Sequence, residues 1–291
     1  MNVSSVSIES MPKSPIFLCA ISNIASGSCN EDCSFCTQSV RYGADIERYK
    51  EKPIASIVEE AKRARENQAI GFCLVTAGKG ITPNTLRFVC DASEAVKKAV
   101  PELNIIACNG LATKEDLATL KNHGVGSYNH NLEASEAYYK KICTTHSWAE
   151  RFQTCMNVKE MDLNLCSGGI FGMGEDEEDR YALVASIKEL QPVSIAMNFF
   201  HPNEALPLQK SLTGDESLEW IKVMRKEMPT QRIMIAGGRE ITFKDRQVEI
   251  FEAGANAIVV GNYLTTAGNE PNRDIEMLKE LGLEIAQSCD G

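Results

Sequence analysis

Three cysteines, Cys29, Cys33 and Cys36, fall within eight residues in the spacing C-x3-C-x2-C. Thiolates are the ligands of iron–sulfur clusters, and a cluster needs them to converge from a loop. Three protein thiolates on a four-iron cube leave one iron open, and an open iron can bind a small molecule. Asn30, Glu31 and Asp32 suit a turning loop. Gly27 lets the chain bend into it, and Phe35 offers an aromatic wall beside the metal. A zinc site would need a second Cys or His pair at short spacing; the nearest residues, Cys73 and His123, are distant and unpaired. Three packing cysteines fit poorly in so polar a loop. The stretch reads as a metal site, with an iron–sulfur cluster ahead of zinc.

Such a loop needs a scaffold. Short apolar runs at 16–21, 72–76, 104–108, 126–130, 162–166, 193–197, 232–236 and 257–260 read as strands. Helices are expected over 53–67 and 83–100, after the cap Thr113, from the acidic run at 175–179, and near 215–227, 243–253 and 272–281. Eight strand-then-helix units with nearly continuous apolar strands predict a parallel sheet buried on both faces. In this length the expected fold is α/β, a (β/α)8 TIM-type barrel, with an open doubly wound sheet as the alternative. No linker breaks the pattern, so residues 16–291 read as one barrel domain behind a loose N-terminal segment, 1–15.

The chain has 291 residues, 43% of them hydrophobic, which is enough for one large core. A formal charge of −10 argues against a nucleic-acid partner. The 11 cysteines are scattered, no secretory signal precedes them, and no apolar run reaches membrane-spanning length. The expected compartment is therefore the reducing cytoplasm, where cysteines serve as ligands, catalysts or core filler.

In such a barrel the active site lies at the C-terminal ends of the strands, where the cysteine loop emerges. Cys73, Cys108 and Cys166 sit in or at the ends of three other strands. Alternate strand residues point into a barrel, so these sulfurs could meet at one interior point as a second metal site. Cys19 and Cys90 read as packing. Arg239 follows the seventh strand and faces the same end. A guanidinium suits a carboxylate or phosphate, and it carries no lone pair that would make it a metal ligand.

C-x3-C-x2-C with an aromatic before the last cysteine resembles the radical S-adenosylmethionine (SAM) enzymes. Phe72-Cys73, Ala107-Cys108, Tyr128-Asn-His-Asn131-Leu-Glu133, Leu165-Cys-Ser-Gly-Gly-Ile170, Asn198 and Ala236-Gly-Gly-Arg239-Glu240 occur in the order seen in the biotin synthase family. The resemblance spans nearly the whole chain. It implies sulfur insertion into dethiobiotin, with a [4Fe-4S] cluster on Cys29, Cys33 and Cys36 cleaving SAM. It also implies a [2Fe-2S] cluster on Cys73, Cys108, Cys166 and Arg239 as sulfur donor. The cofactors carry the radical chemistry, so no side chain is expected as an acid–base catalyst, and Tyr128 and His130 read as packing and loop residues.

The same resemblance implies SAM contacts from Phe35, Asn131, Glu133 and Ile170. Dethiobiotin would meet Asn131, Asn198, Thr265 and Thr266. An electron donor such as flavodoxin or ferredoxin, the iron–sulfur assembly machinery and a second copy in a homodimer are the implied partners. Gly71 and Gly78 depart from relatives that place an arginine and a bulky aromatic there, which bears on the pocket and not on the loop ligands. A lipoyl synthase would carry a further N-terminal cysteine motif, and only Cys19 lies upstream. An iron–sulfur redox sensor would explain the cysteines but not Asn131, Glu133 and the glycine-rich turn at 168–175.

Overall fold

The computed structural model describes residues 12 and 14–289. Most of the segment expected to be loose, 1–15, lies outside them. Nine strands form one sheet: β1 Phe17–Ala25, β2 Gly71–Thr76, β3 Asn104–Cys108, β4 Val125–Asn129, β5 Asn164–Cys166, β6 Gly169–Phe171, β7 Ser194–Phe199, β8 Arg232–Ile235 and β9 Ala257–Val259. Their order is β5-β4-β3-β2-β1-β9-β8-β7-β6, and β5 also pairs with β7, which closes the sheet on itself. The pairings are parallel. β5 and β6 are two halves of one stave, since both pair along β7. The result is a closed barrel of eight parallel staves with helices between them, the TIM-type fold that the alternating pattern predicts.

The stave breaks at Ser167-Gly168. A Cβ on Gly168 would stand 2.0 Å from the Ala196 carbonyl oxygen, so only glycine passes there. Along β1 to β3 the side chains alternate. Leu18, Phe72, Leu74, Ile105 and Ala107 pack outward in the main core against the helices. Cys19, Ile21, Cys73, Val75, Ile106 and Cys108 line the barrel interior. Each outward Leu or Ile buried in this way contributes about 1.5–3 kcal/mol.

Capping boxes start three helices, at Thr113, Ser147 and Thr213, each worth about 1 kcal/mol. Two helices follow β4 that the apolar pattern does not predict, Glu136–Ile142 and Trp148–Glu160. The helix expected over 243–253 is instead broken into Arg239–Phe243, a single 3-10 turn at Lys244–Arg246, and Glu249–Glu252. Lys244 lies in the left-handed region there, with φ 51°. Among the described residues no helix is long and apolar enough to cross a membrane.

Candidate active site

The cysteine loop leaves the end of β1 and is tied at both ends. Gln38 Oε1 accepts from Ser26 Oγ at 3.1 Å and from the Gly27 N–H at 2.8 Å. The Val40 N–H donates to the Cys29 carbonyl at 2.8 Å. The loop's middle is held by the segment after helix Glu136–Ile142. The Asp32 carboxylate accepts from the Thr144 N–H at 2.9 Å, the Thr145 N–H at 3.2 Å and the Thr145 hydroxyl at 3.0 Å. Partial burial pushes the Asp32 carboxyl up, but these donors outweigh it and hold the group well below the usual carboxylate range. Ser34 donates to the Ile142 carbonyl from both its N–H and its hydroxyl, at 2.9 and 3.1 Å.

Cys29, Cys33 and Cys36 line one cavity of about 160 Å³ with Phe35, Asn131, Glu133 and Gly78. Burial raises the Cys29 thiol and carries Cys36 up to about 11. Cys33 is raised chiefly by its contact with Cys143, whose sulfur lies 3.6 Å away. His146 completes this corner, with Nδ1 at 3.3 Å from the Cys143 sulfur and 2.7 Å from Glu31, and Nε2 at 2.8 Å from the Tyr139 hydroxyl. Cys33, Cys143 and His146 stand close enough to hold a single ion. Neither Cys143 nor His146 is signalled by the sequence, because only the chain's return after β4 brings them to the loop.

Beyond the loop lies a polar wall. Arg151, on helix Trp148–Glu160, donates to Glu133 Oε1 at 3.1 Å and to the Asn131 carbonyl at 2.7 Å. Glu133 holds φ 68°, unusual for a side-chain-bearing residue. Burial raises its carboxyl, with Arg151 opposing. Glu133 Oε2 and Asn131 Oδ1 are buried without any hydrogen-bond partner. Two unpaired acceptors beside a thiolate cavity are costly unless a ligand donates to them, and a nucleoside bearing hydroxyl and amino donors fits that need. Ile170 does not line this cavity. It packs with Phe35 and Cys36 in the apolar cluster beneath the loop.

A second cavity, about 340 Å³, occupies the barrel interior and shares Cys108, Asn129, Asn131 and Glu133 with the first. Cys73, Cys108 and Cys166 all line it, as do Asn198, Thr265 and Thr266. A hydrogen bond to Cys108, and then burial, raises the Cys73 thiol. The same contact lowers Cys108, which also accepts from Asn129 Nδ2 at 3.2 Å. Burial carries Cys166 up to about 12. Asn198 is committed to backbone, donating to the Gly169 carbonyl at 3.2 Å and accepting from the Gly237 N–H at 2.9 Å. The Thr265 and Thr37 hydroxyls meet at 2.9 Å, joining the last βα loop to the cysteine loop.

Arg239 is not brought to this cavity. Its side chain is fully buried, and Asp274, on helix Pro271–Glu280, takes both terminal nitrogens. Gln247 and the Val259 carbonyl accept at 2.9 and 3.1 Å, Glu240 Oε1 lies 3.0 Å from Nη2, and Nε is buried without a partner. A buried guanidinium demands a carboxylate, and Asp274 supplies one. Cys19, expected only to pack, lines the cavity, and so does Met234. Cys90 lies in the main core, as its helix position suggests.

Comparison with known proteins places the chain in a family. The model of the radical SAM superfamily matches residues 23–187, and that of the biotin and thiamin synthesis associated domain matches 196–284. A biotin synthase of Aliarcobacter butzleri is 55% identical over 280 residues, covering 96% of this chain and 99% of the relative. That of Sulfurimonas denitrificans is 57% identical, covering 94% and 98%, and that of Campylobacter jejuni 54%, covering 94% and 99%. Among solved structures, methylornithine synthase superposes with a TM-score of 0.80 at 22% identity, covering 95% of this chain and 85% of that one. The hydrogenase maturase HydG of Carboxydothermus hydrogenoformans gives 0.81 at 16%, covering 94% and 68%. Those two likenesses speak to the fold alone.

Proposed function

The chain belongs to the biotin synthase family of radical SAM enzymes, and on that premise we propose how its own residues divide the work of inserting sulfur into dethiobiotin. The observation that carries the division is the shared wall. Two sets of three cysteines line two cavities that meet at Cys108, Asn129, Asn131 and Glu133.

Cys29, Cys33 and Cys36 would hold the [4Fe-4S] cluster, and Cys73, Cys108 and Cys166 would help to hold a second, [2Fe-2S] cluster inside the barrel. When bound, the first would supply the electron for reductive cleavage of SAM, and the second the sulfur that joins dethiobiotin. Asn131 Oδ1 and Glu133 Oε2 accept hydrogen bonds from SAM. Arg151 fixes Glu133 and the backbone of Asn131, so the acceptors are oriented before the ligand arrives. Phe35 walls the SAM cavity, and Ile170 backs it from below.

Dethiobiotin occupies the barrel cavity. Asn198 orients it indirectly, by fixing the Gly169 and Gly237 backbone, while Thr265 and Thr266 border its tail. The closed barrel keeps the reacting carbons away from competing hydrogen donors. Each thiol must lose its proton on taking iron, so Asn129, donating to the Cys108 sulfur, favours the thiolate. A flavodoxin- or ferredoxin-class protein in the cytoplasm delivers the electron, cellular assembly machinery restores the consumed sulfide, and the working unit is a homodimer of single-domain barrels.

The test is an anaerobic single turnover with SAM, a strong reductant and dethiobiotin. Biotin detected by mass, with loss of two-iron absorbance, supports the reading. SAM cleavage without biotin, from protein holding both clusters, would move the substrate elsewhere.

A further inference from the structure

A third cavity, about 560 Å³, is larger than the two already described. It is bordered by helix Ile54–Glu66, the segment 45–52 before it and the loop 261–268 after β9. It shares Ile21, Tyr263, Leu264, Thr265 and Thr266 with the barrel cavity, and Leu264 lines the SAM cavity as well. One loop thus partitions three spaces. Its ends touch: Gly261 has φ 77°, and a Cβ on Gly268 would stand 2.1 Å from the Gly261 carbonyl oxygen. Leu264, at its tip, is 36% exposed, so core packing does not hold the tip down. Polar ties do. The Thr265 and Thr37 hydroxyls meet at 2.9 Å, the Tyr263 hydroxyl donates to Glu240 Oε1 at 3.2 Å, and Asn23 Nδ2 donates to the Leu264 carbonyl at 3.0 Å.

Asn23 stands near the end of β1 and lines this outer cavity. Its backbone carbonyl accepts from the Tyr49 hydroxyl at 2.6 Å, which fixes its place. Its side chain is only half used. The amide nitrogen holds Leu264, while Oδ1 is buried with no hydrogen-bond partner among the described residues, in a residue 8% exposed. Such an acceptor is costly unless a ligand donates to it. A primary amide pairs at two points with a urea, which offers an N–H and a carbonyl side by side. The Leu264 carbonyl fills one of those points and the other is open. Charge does not select what enters: Lys52 pairs with Glu60 at 2.7 Å, and Arg63 shares the lining with Asp45 and Glu47. Selection falls to the buried amide.

We propose that the outer cavity is the vestibule through which dethiobiotin enters the barrel, that the loop 261–268 is its flap, and that Asn23 receives the ureido group as the flap lifts. The inference rests on the reading above that dethiobiotin occupies the barrel cavity. Lifting the flap frees Asn23 Nδ2 from Leu264, and the whole amide then takes the ureido N–H and carbonyl, so one hydrogen bond is exchanged for two. The ring leads and the tail follows past Thr265 and Thr266, in keeping with their place on the wall that both cavities share.

The experiment follows association and release of radiolabelled dethiobiotin by rapid filtration. It uses anaerobically reconstituted protein with SAM and no reductant, so that nothing is turned over. Asn67, at the end of helix Ile54–Glu66, lines the outer cavity and not the barrel cavity. Asn67→Trp, which narrows the vestibule, is expected to slow association and release several-fold by the same factor, leaving Kd unchanged. Asn23→Leu is expected to slow both by roughly three- to tenfold, the net loss of one hydrogen bond at the barrier, again with Kd unchanged. Parallel slowing at constant affinity is the mark of a passage; a damaged barrel site would change the affinity. Wild-type iron counts and SAM binding show that each variant is folded. Wild-type rates in either variant, or altered affinity with unaltered association, would overturn the inference alone. Wild-type protein that binds SAM but no dethiobiotin would overturn the barrel-substrate reading, and the inference with it.

Discussion

Arg239 and Asp274 form a fully buried two-point ion pair, Nη1 to Oδ1 at 2.9 Å and Nη2 to Oδ2 at 2.7 Å. Burial pulls the guanidinium's proton affinity down, and the carboxylate more than restores it. The pair fastens the turn after β8 to helix Pro271–Glu280.

Breaking that pair strands a buried charge. Asp274→Ala is expected to lower unfolding free energy by about 3–5 kcal/mol, read by urea denaturation of the apoprotein. Wild-type stability combined with selective loss of the barrel cluster would instead assign the guanidinium to the metal.

The unpaired acceptors give a second expectation. Asn131→Ala and Glu133→Gln should each weaken SAM binding to the reconstituted protein by roughly 10- to 100-fold, the worth of a hydrogen bond to a buried or charged group. Calorimetric titration would measure it, with the loop cluster's iron count unchanged. Arg151→Met should act in the same direction, because it frees Glu133 and the Asn131 backbone. Unaltered SAM affinity in all three would remove the polar wall from the binding site.

Asp32 anchors the loop through Thr144 and Thr145. Its carboxyl is lowered in the folded state, so its stabilising effect is present above the unfolded value, near 3.9, and fades as pH falls below that. Asp32→Asn should therefore speed chelator extraction of the loop cluster several-fold at pH 8, while the wild type converges on the variant only in strong acid. Equal extraction rates at pH 8 would show that the anchor does not restrain the loop.

The buried thiols set a pH dependence with the opposite sign. Cys36 and Cys166 are raised to about 11 and about 12 by burial, against about 8.5 in the unfolded chain. Their contribution to apoprotein stability is fully present below pH ~8.5 and is lost as pH rises towards those folded values. The apoprotein's melting temperature should fall between pH 9 and 11. The reconstituted protein, with its thiols already deprotonated by iron, should fall less; parallel curves would mean that these thiols do not hold metal.

Much of this was legible because the signals are local or periodic. Cys29, Cys33 and Cys36 declare themselves by spacing within one loop. Cys73, Cys108 and Cys166 follow from alternation along strands, and the closed barrel follows from eight repeats of one unit. Cys19 was read as packing, and only the closed barrel shows that it lines the same cavity as Cys73, Cys108 and Cys166. Arg239 was placed with the cysteines because it follows a strand at the active end. Gly238, at φ 85°, turns the chain into a short helix there, and the guanidinium enters the wall. Arg151, Cys143 and His146 come from helices and a turn that the apolar pattern left blank.

The central claim is that thiolates inside the barrel hold the sulfur that reaches dethiobiotin. The most direct measurement reconstitutes the protein with heavy-isotope sulfide, runs one turnover with unlabelled reagents, and weighs the biotin. Wild-type protein is expected to give isotopically heavy biotin, while Cys73→Ser and Cys108→Ser still cleave SAM and give none. Unlabelled biotin, or biotin at the wild-type rate from Cys108→Ser, would contradict the claim.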